Sequence, residues 1–368
     1  MREILKKEIL HKGYQRKEIA ESIGTTSSTI TKFLDGTQEV SIDTVLQFIR
    51  YVMPQNEKRM MIYFCLEAEK PANLSAAMEY CSTNRLMKTL DKLIDKAKES
   101  SNIELKQLAA FYETLFRWQH GIYNLDIQEE LIALRKLKTD SEECKIFSKL
   151  LEVCMYYYKT QYTVVKDLAT DLINDLDQLK STYLQKSYKA RLNEIMSYIF
   201  LKLNNLKLAR EYAQKVIKAK IGTAFNAFAY FVIGSSYMFS DYDKALHYLE
   251  KSHKLYSKYS PHNAEDILNK IEFTNAYWNV HNINYTNELI LHYYKKKNNH
   301  HDIPQLEVPT NDSFQLFLIG SINADRTLLI KSFTNFIHKN DIFNATLVKE
   351  ELSQLDENSY LLEQMLLV

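Results

Sequence analysis

At 368 residues, with 46 % hydrophobic side chains, the chain is long enough to bury a continuous core in two or three domains, which excludes a disordered protein. Seven glycines and five prolines are too few for the many turns of an all-β or α/β chain, so the expected fold class is all-α. Forty-seven Lys and Arg against 46 Asp and Glu leave a net charge of +1, which excludes a uniformly basic protein and confines any nucleic-acid surface to a local patch.

The chain opens on MREILKKEILHKGYQ, charged throughout and lacking the apolar core of a secretion signal. No uncharged apolar run approaches the ~18 residues of a membrane span. The expected location is the cytoplasm, with no membrane partner. Cys65, Cys81, Cys144 and Cys154 are too far apart for a CxxC pair or a zinc knuckle and read as free thiols.

In YQRKEIAESI, residues 14–23, the spacing puts Ile19, Ala20 and Ile23 on one helical face, and Gly24 follows as the stop. SSTITKFLDG then predicts a second short helix, capped by Ser27 or a neighbouring hydroxyl, with Ile30, Phe33 and Leu34 as its apolar face and Gly36 as its end. Ala20 admits a crossing helix, and Gly24 permits the tight turn four residues later. This is the spacing of a helix-turn-helix and resembles that of Xre-type repressors. Glycine-turned hairpins also occur where no DNA is bound. SIDTVLQFIRYV predicts a further amphipathic helix capped by Ser41, with Ile42, Val45, Leu46, Ile49 and Val52 facing the core.

In a helix-turn-helix the second helix enters the major groove with its N-terminal side chains toward base edges, while the first crosses the backbone. Thr26, Ser27, Ser28, Thr31 and Lys32 are therefore the expected base readers, and Gln15, Arg16 and Lys17 the expected phosphate contacts. Residues 1 to 36 carry seven basic against five acidic side chains, a weak footprint. A dimer gripping two half-sites of an operator is accordingly expected.

From about residue 60 one amphipathic helix follows another. LNNLKLAREYAQKV at 203–216 echoes FSDYDKALHYLEKS at 239–252, pairing Leu206 with Tyr242, Ala209 with Ala245, Tyr212 with Tyr248 and Lys215 with Lys251 at an offset of 36 residues. This is close to the tetratricopeptide period and predicts a degenerate repeat solenoid with a surface suited to an extended ligand. The other possibility is a non-repetitive bundle with one duplicated hairpin. Most of the 25 Tyr and 17 Phe read as packing residues. Polar side chains inside apolar helices are the better ligand candidates: Arg191 and Asn193, Asn226, Ser235 and Asn275 carry groups that suit peptide backbones and carboxylates. They could equally be satisfied structural groups.

KKKNNHHDIPQLEVPTND, residues 295–312, predicts a polar loop. His300, His301 and Asp302 lack the further ligands a metal site needs, so no metal is expected. The ending YLLEQMLLV leaves Leu361, Leu362, Met365, Leu366 and Leu367 in need of cover by this chain or by a second copy, and a dimerisation helix is the expectation. The expected organisation is a helix-turn-helix domain at 1–55, a repeat domain at 56–355 and this helix at 356–368. The chain contains no phosphate loop, dinucleotide glycine pattern, HExxH motif or nucleophile elbow, so neither an enzyme nor a cofactor is expected.

A terminal DNA reader followed by degenerate tetratricopeptide-like helices resembles peptide-sensing regulators of Gram-positive bacteria and their phages. IMSYIFLKLNNLKLAREY, YFVIGSSYMFSDYDKA, FTNAYW, FIHKNDIF and LLEQMLLV together resemble the AimR arbitrium receptors of temperate Bacillus phages. The resemblance implies a homodimeric regulator of the choice between lysis and lysogeny, binding a secreted peptide of about six residues that changes dimer geometry or operator affinity. It places peptide contacts at Tyr198, Lys202, Ala224, Ser235, Met238, Phe273 and Asp341. Tyr198, Lys202 and Ser235 replace the family's amides and Ala224 replaces its arginine. The cation for the peptide carboxylate is therefore expected from Lys202, with Arg191 in reserve, and Asp341 is assigned to a basic peptide group. The alternative is a Rap-type response-regulator inhibitor or phosphatase, which carries an N-terminal helical bundle in place of the DNA reader.

Overall fold

The computed structural model describes residues 1–119, 129, 132, 133, 136, 139–300, 303, 304, 306 and 310–355. Nineteen α-helices and no strand occur among them, and the all-α class read from glycine and proline scarcity holds. By contacts the chain divides into two units, Met1–Tyr156 with Val164–Ala190, and Tyr157–Thr163 with Arg191–Val368.

The first unit begins with α1 (Arg2–Lys12), a helix the sequence reading does not anticipate, which ends on Gly13 at a φ of 67°. Helix α2 (Arg16–Ser22) turns through Gly24, at a φ of 69°, into α3 (Ser27–Leu34). The positive φ at Gly24 is open to glycine at no steric cost. Thr26 caps α3 by accepting from the Thr29 amide at 3.1 Å, and Ser41 caps α4 (Ile42–Val52) by accepting from the Thr44 amide at 3.3 Å. Ile19, Ala20, Ile30, Phe33 and Leu34 are buried, and Phe33 meets Phe48 of α4 edge to face at 5.8 Å. Leu5 and Ile9 of α1 are buried as well, each buried apolar side chain of this size being worth roughly 1.5–3 kcal/mol.

Helices α5 (Glu57–Glu67), α6 (Pro71–Thr83), α7 (Met87–Glu99), α8 (Ile103–Gln119), α9 (Glu142–Tyr158) and α10 (Tyr162–Leu176) build most of the rest of the first unit. Polar clasps fix α1–α4 on this scaffold. Glu39 accepts from the Lys70 amide at 3.1 Å, and Asn73 both receives the Ile42 amide at 3.1 Å and donates to the Val40 carbonyl at 2.9 Å. Arg2 donates to the Phe33 carbonyl at 3.0 Å while pairing with Glu67. Helix α6 is buried from Asn73 to Thr83, including Glu79, which accepts from Tyr112 at 2.9 Å and from Ser187. These donors compensate the cost of burying a carboxylate.

Helix α11 (Thr182–Lys202) belongs to the first unit as far as Ala190 and to the second from Arg191. The second unit continues with α12 (Leu206–Ala219), α13 (Thr223–Tyr237), α14 (Tyr242–Tyr256), α15 (Pro261–Tyr277), α16 (Glu288–Lys297), α17 (Ser313–Asn323), α18 (Arg326–His338) and α19 (Ile342–Gln354), packed chiefly on their neighbours in sequence. This is the tetratricopeptide-like arrangement that the 36-residue echo predicts. Asn205 and Asp241, one offset apart, cap α12 and α14 through the Leu208 and Lys244 amides, and Ala209 and Ala245 are both fully buried. Lys215 lies 4.2 Å over Tyr212, as Lys251 lies 5.4 Å over Tyr248.

Two glycines permit close helix approaches in this unit. A Cβ on Gly234 of α13 would stand 2.8 Å from the Leu249 Cγ and 2.9 Å from its backbone nitrogen, and one on Gly320 of α17 would stand 2.9 Å from the Leu329 Cγ. Asn287 caps α16 through the Ile290 amide at 3.2 Å, and buried Glu272 fixes the entry to the helix, accepting from the Thr286 hydroxyl at 2.6 Å and from the Thr286 and Asn287 amides at 2.8 and 2.9 Å.

Candidate functional site

The sequence assigns DNA contacts to the α2–α3 turn. Gln15, Arg16 and Lys17 are exposed at the start of α2, as are Thr26, Ser28 and Lys32 around α3, with Ser27 and Thr31 partly covered. The apolar face of α3 is consumed by packing, so its polar face points outward. Arg16 donates to the Thr31 hydroxyl at 3.0 Å, joining an expected phosphate contact to an expected base reader. The Thr26 hydroxyl is engaged as the cap and also meets Thr29 at 2.9 Å.

In the second unit, Tyr198 and Lys202 occupy the last two turns of α11. The Lys202 ammonium pairs with Asp341 at the start of α19 and stands 5.1 Å over the Tyr198 ring. Asp341 also caps α19 through the Asn344 amide at 3.2 Å and receives the Asn344 side chain at 2.8 Å. Desolvation alone would lower the Lys202 pKa, but Tyr198 and Asp341 outweigh it and hold the ammonium above its ordinary range. Burial, with Tyr198 adding to it, pushes the Tyr162 hydroxyl up to about 12. Tyr198 meets Tyr157 at 5.9 Å and Phe228 at 5.5 Å, and Phe228 meets Phe231 at 5.8 Å, so the ion pair adjoins an aromatic cluster.

Lys270 of α15 is a cation that sequence reasoning missed. It is half-buried and lies 4.9 Å over the Phe314 ring of α17. Burial, with Lys202 adding to it, lowers its pKa to about 8. The sequence offers no sign of this position, because DILNKIEFTNAY reads as an ordinary amphipathic helix and Lys270 as one of its solvated residues.

The remaining candidates disperse. Arg191 is buried with its guanidinium 5.5 Å over Phe225. Ala224 begins α13 as a half-buried methyl group and brings no charge. Asn226 and Ser235 carry buried oxygens without a hydrogen-bond partner among the described residues. Asn275 is occupied, accepting from the Tyr242 hydroxyl at 2.9 Å. Met238 and Phe273 are fully covered, Phe273 by Tyr293, Phe314 and Phe317, so neither presents surface in this conformation. Leu361, Leu362, Met365, Leu366 and Leu367 lie outside the described residues, as do His301 and Asp302. Among the described residues no group of three His, Cys, Asp or Glu side chains is placed to hold a metal, and no helix is long and apolar enough to cross a membrane.

The family model described as AimR transcriptional regulator-like matches residues 56–354, most of the chain. The chain belongs to this family. The AimR transcriptional regulator of Bacillus phage SPbeta is 24 % identical to it over 351 residues, covering 90 % of each chain. The AimR transcriptional regulator of Bacillus phage phi3T is 22 % identical over 335 residues, covering 86 % of this chain and 87 % of that one. A solved structure of selenomethionine phAimR superposes with a TM-score of 0.80 at 20 % identity over 99 % of both chains. A phAimR–ligand structure superposes with a TM-score of 0.70, also at 20 % identity, over 86 % of this chain and 98 % of that one. AimR-family membership thus accounts for the helical body that holds Tyr198, Lys202, Lys270 and Asp341. Helices α1–α4 precede the matched range.

Proposed function

We propose that this AimR-family chain is a peptide-controlled, DNA-binding transcription regulator, an arbitrium receptor acting in the choice between lysis and lysogeny. In this reading residues 1–55 hold the operator, 56–355 sense a secreted peptide of about six residues, and 356–368 join two copies into a dimer. The observation that carries it is the α2–α3 pair, whose apolar faces close a small core while Gln15, Arg16, Lys17, Thr26, Ser28 and Lys32 remain exposed. The match to transcription regulators does not favour the response-regulator inhibitor.

The ligand residues we propose are Tyr198, Lys202 and Asp341, where an aromatic wall adjoins a covered ion pair, with Asn226 supplying an unpartnered oxygen. Arg191, Ser235, Met238, Phe273 and Asn275 would serve mainly by shaping the helices behind them.

The test of DNA reading is selection of duplexes from a random pool by the full chain, followed by anisotropy with the enriched sequence. Thr31→Glu with Lys32→Glu should abolish binding by setting carboxylates against phosphate and by drawing the Arg16 guanidinium away from it. Enrichment of no sequence, or full affinity in the double variant, would contradict the reading.

A further inference from the structure

Residues 206–258 carry nine basic against four acidic side chains, while the remainder of the chain holds 38 basic against 42 acidic. A chain that is negative elsewhere therefore gathers positive charge on α12, α14 and the turn that follows. Lys207, Lys215, Lys218, Lys251, Lys254 and Lys258 are exposed there and form no ion pair among the described residues. Lys218 and Lys254 sit in last turns, where the helix dipole favours a cation, but Lys207, Lys215 and Lys251 lie outside those turns.

Aromatic rings hold these charges in place. Arg210 of α12 and Lys244 of α14 lie 4.5 and 5.2 Å from the Tyr237 ring at the end of α13, and Arg210 also donates to the Ser236 hydroxyl at 3.3 Å. Asp241 pairs with Lys244, whereas Arg210 forms no ion pair among the described residues. Lys251 lies 5.4 Å over Tyr248 and 5.5 Å over Tyr230 of α13. The three helices thus present one cationic surface, joined across Tyr237.

Like charges gathered in this way repel one another and favour an anionic partner. Lys207 and Lys218 are three turns apart, about 16 Å along α12, a length over which one strand of duplex DNA carries about five phosphates. A small anion cannot span it. No large hydrophobic side chain between residues 206 and 258 is exposed, so the surface lacks the apolar anchors of a protein interface. The proposed reader, by contrast, is short of phosphate contacts. Arg2, Lys6, Lys12 and Lys17 pair with carboxylates, which leaves only Lys7, Arg16 and Lys32 up to residue 36.

We infer that α12 and α14 form a second DNA surface, which holds the phosphate backbone of a duplex without reading its bases. The inference rests on the DNA-binding reading and deepens it. Sequence preference comes from the α2–α3 pair, and a share of the affinity, with its salt dependence, from the repeat body.

The test uses the full chain and a fluorescein-labelled duplex of scrambled sequence, read by anisotropy between about 50 and about 200 mM salt. The triple variant Lys218→Gln, Lys251→Gln and Lys254→Gln should bind more weakly, with a logarithmic salt slope shallower by about 0.9 for each phosphate contact removed, or two to three in all. The three positions changed to Arg should keep the native slope, and circular dichroism reports the folding of both variants. A glutamine variant that is folded and keeps the native slope and affinity overturns the surface.

Selection from the random pool separates this outcome from failure of the reader. Enrichment of one sequence by a native chain whose salt slope the glutamine variant leaves unchanged overturns the surface and leaves the reader standing. A lysine-dependent slope on the scrambled duplex without enrichment of any sequence supports the surface and removes the reader. A native chain that binds no duplex at about 50 mM salt overturns both.

Discussion

Asp43 of α4 accepts hydrogen bonds from the Thr182 hydroxyl at 2.6 Å and from the Tyr183 amide at 3.0 Å, so a carboxylate of the α1–α4 module completes the first turn of α11. Ser181 supplies the local cap through the Leu184 amide, and Asp43 takes a second otherwise unpaired donor while its charge faces the positive end of the helix. Asp43→Ala should cost about 0.5–2 kcal/mol in denaturant unfolding, and Asp43→Asn less, since an amide oxygen can still accept. Equal midpoints for all three chains would show that the contact contributes nothing.

Glu143 supplies a pH dependence. Burial, helped by Glu104 and Glu79 and opposed by the Ser75 hydrogen bond, raises its pKa to about 7. The folded state therefore binds more protons than the unfolded one between about pH 4.3 and about pH 7, and stability from this group declines as pH rises through that window. Glu143→Gln keeps an acceptor for Ser75 and removes the titration. Its melting temperature should exceed that of the native chain above about pH 7 and approach it near pH 5. Parallel melting curves across this range would contradict the assignment.

Gly234→Ala tests the close approach of α13 and α14. The Leu249 side chain can yield by a rotamer, but its backbone nitrogen cannot, so the helices must separate, at a cost of about 1–3 kcal/mol. Gly13→Ala meets no neighbour and should cost less, from its φ of 67° alone. Thermal unfolding of the two variants gives the order, and a milder effect at Gly234 would show that the repeat interface has slack.

These cases indicate what the sequence carries. Helices α2, α3 and α4 were legible because their caps, glycine stop and apolar spacing lie within a few residues of one another. Helix α1 was not, because its charges run around the whole helix and only Leu5 and Ile9 are buried. The repeat echo was legible through Ala209 and Ala245, whose smallness is a packing requirement. Lys202 and Asp341 were each picked out, but their pairing spans 139 residues and no local spacing encodes it. Asp43 was invisible for the same reason, since it acquires its role from a distant helix. Met238 and Phe273 show the converse: a position marked by family resemblance can be wholly covered in this conformation.

The Lys202–Asp341 pair should behave as one unit. Lys202→Met leaves the Asp341 carboxylate buried without its cation and should cost about 3–5 kcal/mol. Adding Asp341→Asn retains an acceptor for the Asn344 amide while removing the stranded charge, so the double variant should be more stable than Lys202→Met alone. A double-mutant cycle by denaturant unfolding reads the coupling, and additive costs would show that the two charges do not support each other.

The central claim is that a peptide bound in the repeat body controls DNA binding, and the direct measurement is operator affinity with and without a bound hexapeptide. The probes are the duplex enriched from a random pool and a hexapeptide selected by calorimetry on the native chain, titrated together by fluorescence anisotropy. The account predicts that saturating peptide changes the DNA dissociation constant by about fivefold or more, with a reciprocal change in peptide affinity when DNA is bound. The same DNA affinity at zero and saturating peptide would contradict it.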